Sequence, residues 1–219
     1  MRNSHVKPDP DLTIQLTDEQ WATCVRAGGG RTKINQLSNV KTQICAPNDD
    51  DLKISEVGTV GEGAFALLFG GQSWWDQWAK IAVLRRPQEP GTPDVGPFHV
   101  RATARRYGLR FKAPGPNGEW PPDRNGNPRP KKFDPLLPPF VLIWVKPAAR
   151  MAAFIGWCHG FEIYRNGDPL HWDKTQPTPC WCRDPGTLFG WERLRIWYKQ
   201  WRADGSPAFE EQFPPGHEG

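Results

Sequence analysis

No run of about 18 apolar residues, the length that a membrane-crossing helix needs, occurs in this 219-residue chain. A helical membrane span is thereby excluded, and the opening residues MRNSHVKPDPDL hold no apolar stretch of the kind a secretory signal requires. The expected compartment is the cytoplasm. Cysteine is sparse: five residues, an odd number, do not close a disulfide framework, and Cys180 and Cys182 stand too near each other in sequence to bridge easily. Reduced thiols are the default. A strong charge imbalance is also missing, because 28 Lys and Arg against 24 Asp and Glu leave +4, which suits a nucleic-acid partner without requiring one. No internal repeat is visible.

What is abundant is proline (24), glycine (22) and tryptophan (12), a combination that implies an aromatic-rich core flanked by long irregular stretches. A chain of this length fits one domain with extensions better than two. Residues 1–15 read as a loose arm or a single short strand, residues 16–203 as one α/β domain, and residues 204–219 as a polar tail.

Thr17-Asp18-Glu19-Gln20 has the form of a capping box, flanked by Leu16 and Trp21 at the staple positions, and Gly28-Gly29-Gly30 reads as a stop, so a helix is expected over 18–27. Asn48 to Asp51 reads as a solvated acidic turn, with a metal site as the lesser alternative. Thr59 to Phe69 is a short apolar helix ended by Gly70-Gly71, and Glu62 is its only charge. A second helical stretch starts at Ser73 and leads into Ile81 to Leu84, which suits helix or strand equally.

Asp94 to Lys112 has the pattern of a β-hairpin turning at Ala104 to Gly108, and residues 113–138 hold too many Pro, Gly and Asn for any regular element. Phe140 to Val145 is a proline-bounded apolar run, the mark of a strand buried on both faces. Met151 to Cys158 is read as its neighbour, and Thr187 to Trp201 approaches helical spacing with many aromatics. Cys158, His159, Cys180 and Cys182 offer four ligands for zinc, but their spacing is irregular and Cys-x-Cys is not a knuckle, so ordinary thiols are favoured.

Four segments follow one another over about 100 residues: GEGAFALLF (61–69), PDVGPFHVRAT (93–103), DPLLPPFVLIWV (134–145) and FIGWC (154–158). In this order they resemble the PD-(D/E)XK nuclease superfamily, and within it phage and prophage proteins of uncertain function. The resemblance implies a restriction-endonuclease-like core, a mixed central sheet of four to five strands flanked by helices. It also implies phage or mobile-element origin in a bacterial host, and DNA rather than RNA as partner. Members of the superfamily mostly cut or bind DNA with Mg²⁺; two carboxylates hold the ion, which activates a water, while a lysine orients the nucleophile.

Carried onto this sequence, Glu62 is the helix carboxylate and Asp94 the strand carboxylate, both metal ligands for Mg²⁺ or Mn²⁺. His99 takes the first place of the acid-x-Lys pair and Arg101 the lysine place. Histidine is a softer ligand than a carboxylate, and arginine binds phosphate but does not act as a base. Each residue also has a plain reading: Glu62 at a helix N-terminus, Asp94 capping a turn before Gly96, His99 in the core.

A second constellation is basic, with Arg101, Arg105, Arg106, Arg110 and Lys112 inside 12 residues and Arg129, Lys131 and Lys132 in the following loop. Such density grips phosphates or, equally, forms a solvated face. Trp120 and the Trp74-Trp75 pair are candidates for stacking on bases, against a core role. The competing reading is a non-enzymatic interaction protein, a virion component or an inhibitor of a host system, that contacts a copy of itself or another protein through exposed aromatics.

Overall fold

The computed structural model describes residues 7–37, 51–84, 93–104, 109–112, 139–160, 162, 168–170 and 180–205, with the side chains of 35–37, 51–52, 83–84, 109–112, 168–170 and 180–182 left aside. A short strand β1 (Thr13–Gln15) leads into α1 (Asp18–Leu37). The capping box forms as expected: the Gln20 amide donates to Thr17 Oγ1 at 3.2 Å and the Thr17 amide to Gln20 Oε1 at 2.9 Å. Leu16 is buried beside it, and Trp21 packs against the core.

The glycine triplet does not stop this helix, which runs ten residues past the expected end at 27, to Leu37. The reason is a helix–helix contact. A Cβ on Gly28 would stand 2.8 Å from the Glu56 backbone, so glycine there lets α1 lie directly on α2 (Asp51–Leu84), and that contact outweighs the weak helix propensity of glycine. Thr59 Oγ1, 2.8 Å from the Cys24 carbonyl oxygen, ties the same crossing. α2 starts eight residues before the expected Thr59, and Asp51, read as part of an acidic turn, is its first residue; residues 48–50 lie outside the described ones.

The expected break after Phe69 falls at Gly71 (φ 67°, ψ −154°), beyond which the helix resumes and folds Trp74, Trp75 and Trp78 into the core. Ile81 to Leu84 is helical. Trp74 and Trp75 are buried, which corrects their reading as base-stacking platforms: their area is spent on core packing.

The principal sheet has the order β1-β5-β4-β2, from β2 (His99–Thr103), β4 (Pro139–Lys146) and β5 (Met151–His159). β4 is interior, antiparallel to β5 and parallel to β2. Val141, Ile143 and Val145 join the core cluster, while Phe140 and Leu142, which alternate with them, are buried too, as the unbroken apolar run implied. The architecture is thus mixed α/β, a four-stranded mixed sheet with helices packed on it.

The expected hairpin does not form. β2 pairs with β4, whereas β3 (Leu109–Lys112) joins a separate sheet of order β3-β7-β6 with β7 (Cys180–Arg183) and β6 (Asp168–Leu170). Against β4, Val100 and Ala102 fall beside Val141 and Ile143 under α2, an apolar match across the two strands. Parallel pairing needs a long crossover, and residues 104–138 provide it. The last helix, α3 (Trp191–Ala203), buries Leu194 and sets Trp191 edge-on to Phe69 and Phe154, and Tyr198 edge-on to Phe69.

Candidate functional site

Glu62 lies in the interior of α2, eleven residues from its start, so the reading of it as an N-terminal dipole residue is corrected. Its neighbour Gly61 presses on β2, where a Cβ would stand 2.3 Å from the Ala102 Cβ. That close approach seats a carboxylate, 3% exposed, beside the edge strand of the sheet. Burying a carboxylate is costly unless it is paired. Here the partner is Arg31 of α1, whose Nη1 and Nη2 donate to Glu62 Oε1 and Oε2 at 2.5 and 2.6 Å, with the Trp78 indole N–H adding a bond of 3.2 Å to Oε2.

Asp94 is held by a turn rather than a long strand. Val95 and Phe98 form a two-residue bridge around Gly96 (φ 54°), and the Asp94 amide donates to the Phe98 carbonyl at 2.9 Å. This turn folds the Asp94 carboxylate back onto β2, where Oδ2 accepts from the Val100 amide at 2.9 Å and lies 3.5 Å from Arg101 Nη1 and 3.8 Å from His99 Nδ1. The plain reading of Asp94 as a turn residue and the reading of it as a site acid therefore both describe it. His99 is buried and stacks on Phe140, with ring centroids 5.0 Å apart, and the Arg101 guanidinium lies 5.3 Å from the same ring. The Arg101 side chain is 44% exposed, so the cluster opens to solvent through it.

Electrostatics join the parts. Burial pushes the Glu62 carboxyl above its ordinary value, against the pull of Arg31, and the charge of Asp94 adds to the upward push. Burial acts on Asp94 in the same sense, but His99, Arg101 and Arg31 outweigh it and hold that carboxyl below its ordinary range. Arg31 feels both acids, which keep it charged despite burial. Two acids with opposed shifts and two guanidiniums, drawn from α1, α2, the turn before β2 and β2 itself, therefore form one charge-balanced unit.

This donor set does not fit a hard divalent cation as it stands. Mg²⁺ wants convergent oxygens at about 2.0–2.1 Å. Both Glu62 oxygens are engaged by Arg31, Asp94 Oδ2 is engaged by a backbone amide, and the third and fourth positions carry imidazole and guanidinium. Among the described residues, no three His, Cys, Asp or Glu side chains form a metal-holding group.

Of the other candidates, Arg105, Arg106, Trp120, Arg129, Lys131 and Lys132 lie outside the described residues, and Arg110 and Lys112 are described only as backbone of β3. Cys158 is a buried free thiol on β5, pushed up to about 12 by burial; Cys180 and Cys182 belong to β7 of the other sheet. Sequence reasoning missed Arg31 and Trp78. The signal for Arg31 was the face shared by Cys24, Ala27 and Arg31 at helical spacing, which continues through the glycines. No family model, curated protein or solved structure matches the chain.

Proposed function

We propose that this chain is a nuclease-like nucleic-acid-binding protein of phage or mobile-element origin, with a restriction-endonuclease-like core and a degenerate catalytic centre. It holds phosphodiester backbones, DNA in preference to RNA, without cutting them through Mg²⁺. The observation that carries the reading is that Gly61 sets Glu62 of α2 against β2, the edge strand on which Asp94, His99 and Arg101 cluster. Acids are costly to bury, and each of these two is met by a guanidinium, Glu62 by Arg31 and Asp94 by Arg101.

The chemistry of the substitutions argues for binding over cleavage. Arginine at the lysine position stays protonated and forks onto phosphate, and a histidine nitrogen is a poor ligand for Mg²⁺. Half-exposed Arg101 leads along the chain into Arg105, Arg106, Arg110 and Lys112, a density of cations suited to neutralising several phosphates. A gel mobility shift with duplex DNA tests this: the wild-type chain retards the duplex at low salt, and Arg105→Ala/Arg106→Ala retards it at least about tenfold less well. Plasmid incubated with the chain and Mg²⁺ stays uncut. Nicking that disappears in Asp94→Ala would make the protein an active nuclease instead, and no retardation at low salt would favour a non-enzymatic interaction protein.

A further inference from the structure

Two acids set against one edge strand, Glu62 through the contact of Gly61 with Ala102 and Asp94 through its bond from the Val100 amide, need cations to hold them. In a metal-dependent centre that cation is the divalent ion. In this protein it is Arg31, whose two terminal nitrogens each take one Glu62 oxygen, at 2.5 and 2.6 Å, and whose charge also acts on Asp94. A guanidinium suits the role, because it stays charged and its planar fork matches a carboxylate with two parallel bonds. Its position is built into the helix crossing: Gly28, one turn before Arg31, is where α1 touches the α2 backbone.

We propose that Arg31 is the resident cation of this site: its guanidinium stands in for a divalent ion, so the Glu62 and Asp94 pair takes up no Mn²⁺ or Mg²⁺ while Arg31 is present and gains that capacity when Arg31 is replaced. The proposal deepens the function given above by naming what keeps metal from the centre. Among the described residues, removing the guanidinium takes away the bond to Glu62 Oε1 and leaves Oε2 with the Trp78 N–H. Asp94, whose Oδ2 takes the Val100 amide at the edge strand that Gly61 presses on, is the nearer second acid, so oxygen donors from both sides of that contact become available.

The test uses the full chain and Mn²⁺ alone, with free Mn²⁺ read by electron paramagnetic resonance. The wild-type chain is expected to show no saturable uptake up to about 1 mM, the weak end of protein sites for such ions. Arg31→Ala is expected to bind at least about tenfold more tightly than that limit, and Arg31→Ala/Glu62→Gln to lose the gain. Wild-type uptake that Glu62→Gln abolishes would overturn the proposal, as would a folded Arg31→Ala that binds no better than wild type. If Arg31→Ala lacks the wild-type circular dichroism, Arg31→Gln takes its place in the titration: uptake tighter than wild type upholds the proposal, and uptake no better than wild type overturns it. Nucleic acid is absent throughout, so a failure here is distinct from a failure of DNA binding.

Discussion

The Arg31 guanidinium and the Glu62 carboxylate, 31 residues apart in sequence and on different helices, meet through two parallel hydrogen bonds where the carboxylate side chain is only 4% exposed. The pair locks α1 to α2 next to the edge of the sheet, so it couples the packing of two helices to the geometry of the candidate site.

Breaking this pair from one side leaves an uncompensated buried charge. Arg31→Ala is expected to destabilise the fold by an amount toward the lower end of about 3–5 kcal/mol, because part of Arg31 reaches solvent. Arg31→Ala/Glu62→Gln, which removes the stranded charge, is expected to recover some of that loss. Urea unfolding of wild type, Arg31→Ala, Glu62→Gln and the double variant measures both effects, and strictly additive losses would show that the two groups do not act as a pair.

Glycines at the helix crossing should differ sharply from one that faces open space. Gly28→Ala forces a Cβ to within 2.8 Å of the Glu56 backbone and is expected to cost about 1–3 kcal/mol. Gly58→Ala meets nothing within 4 Å inside the same helix pair and is expected to stabilise by about 0.5–1 kcal/mol through helix propensity alone. Thermal unfolding of the two variants, expected to move Tm in opposite directions, checks the contrast.

The two acids should leave opposite marks on the pH dependence of stability. Asp94, held below its ordinary value in the folded state, contributes stability that is present above that value and is lost as pH falls through the folded pKa. Glu62, pushed above its ordinary value, favours the folded state when protonated, so stability falls as pH rises from the ordinary value through the folded one. Urea midpoints from about pH 2 to about pH 7 are therefore expected to lose the acid-side rise in Asp94→Asn and the subsequent fall in Glu62→Gln.

Much of this was legible where the signal is local. The capping box at Thr17 and Gln20 involves four consecutive residues, and β4 announces itself as an apolar run between prolines. Glu62 stood out as a lone charge in an apolar helix, for the physical reason that a buried carboxylate is tolerated only where something pairs with it. What was not legible depends on distant partners. The Gly28 triplet reads as a stop until α2 is brought against it, and Arg31 is then hidden beyond the expected helix end. The parallel pairing of β2 with β4 likewise cannot be told from a local hairpin, because turn signals after Thr103 say nothing of a strand that begins at Pro139. The second sheet rests on three-residue and four-residue strands, too short to carry a period.

Fluorescence anisotropy of a labelled DNA duplex, titrated with the wild-type chain in EDTA over a series of salt concentrations, tests the proposed function most directly. Metal-free binding whose logarithm falls linearly with the logarithm of salt, by about 0.9 for each phosphate neutralised, is the expected result. Binding that vanishes in EDTA and returns with Mg²⁺, or no binding at the lowest salt, would contradict it.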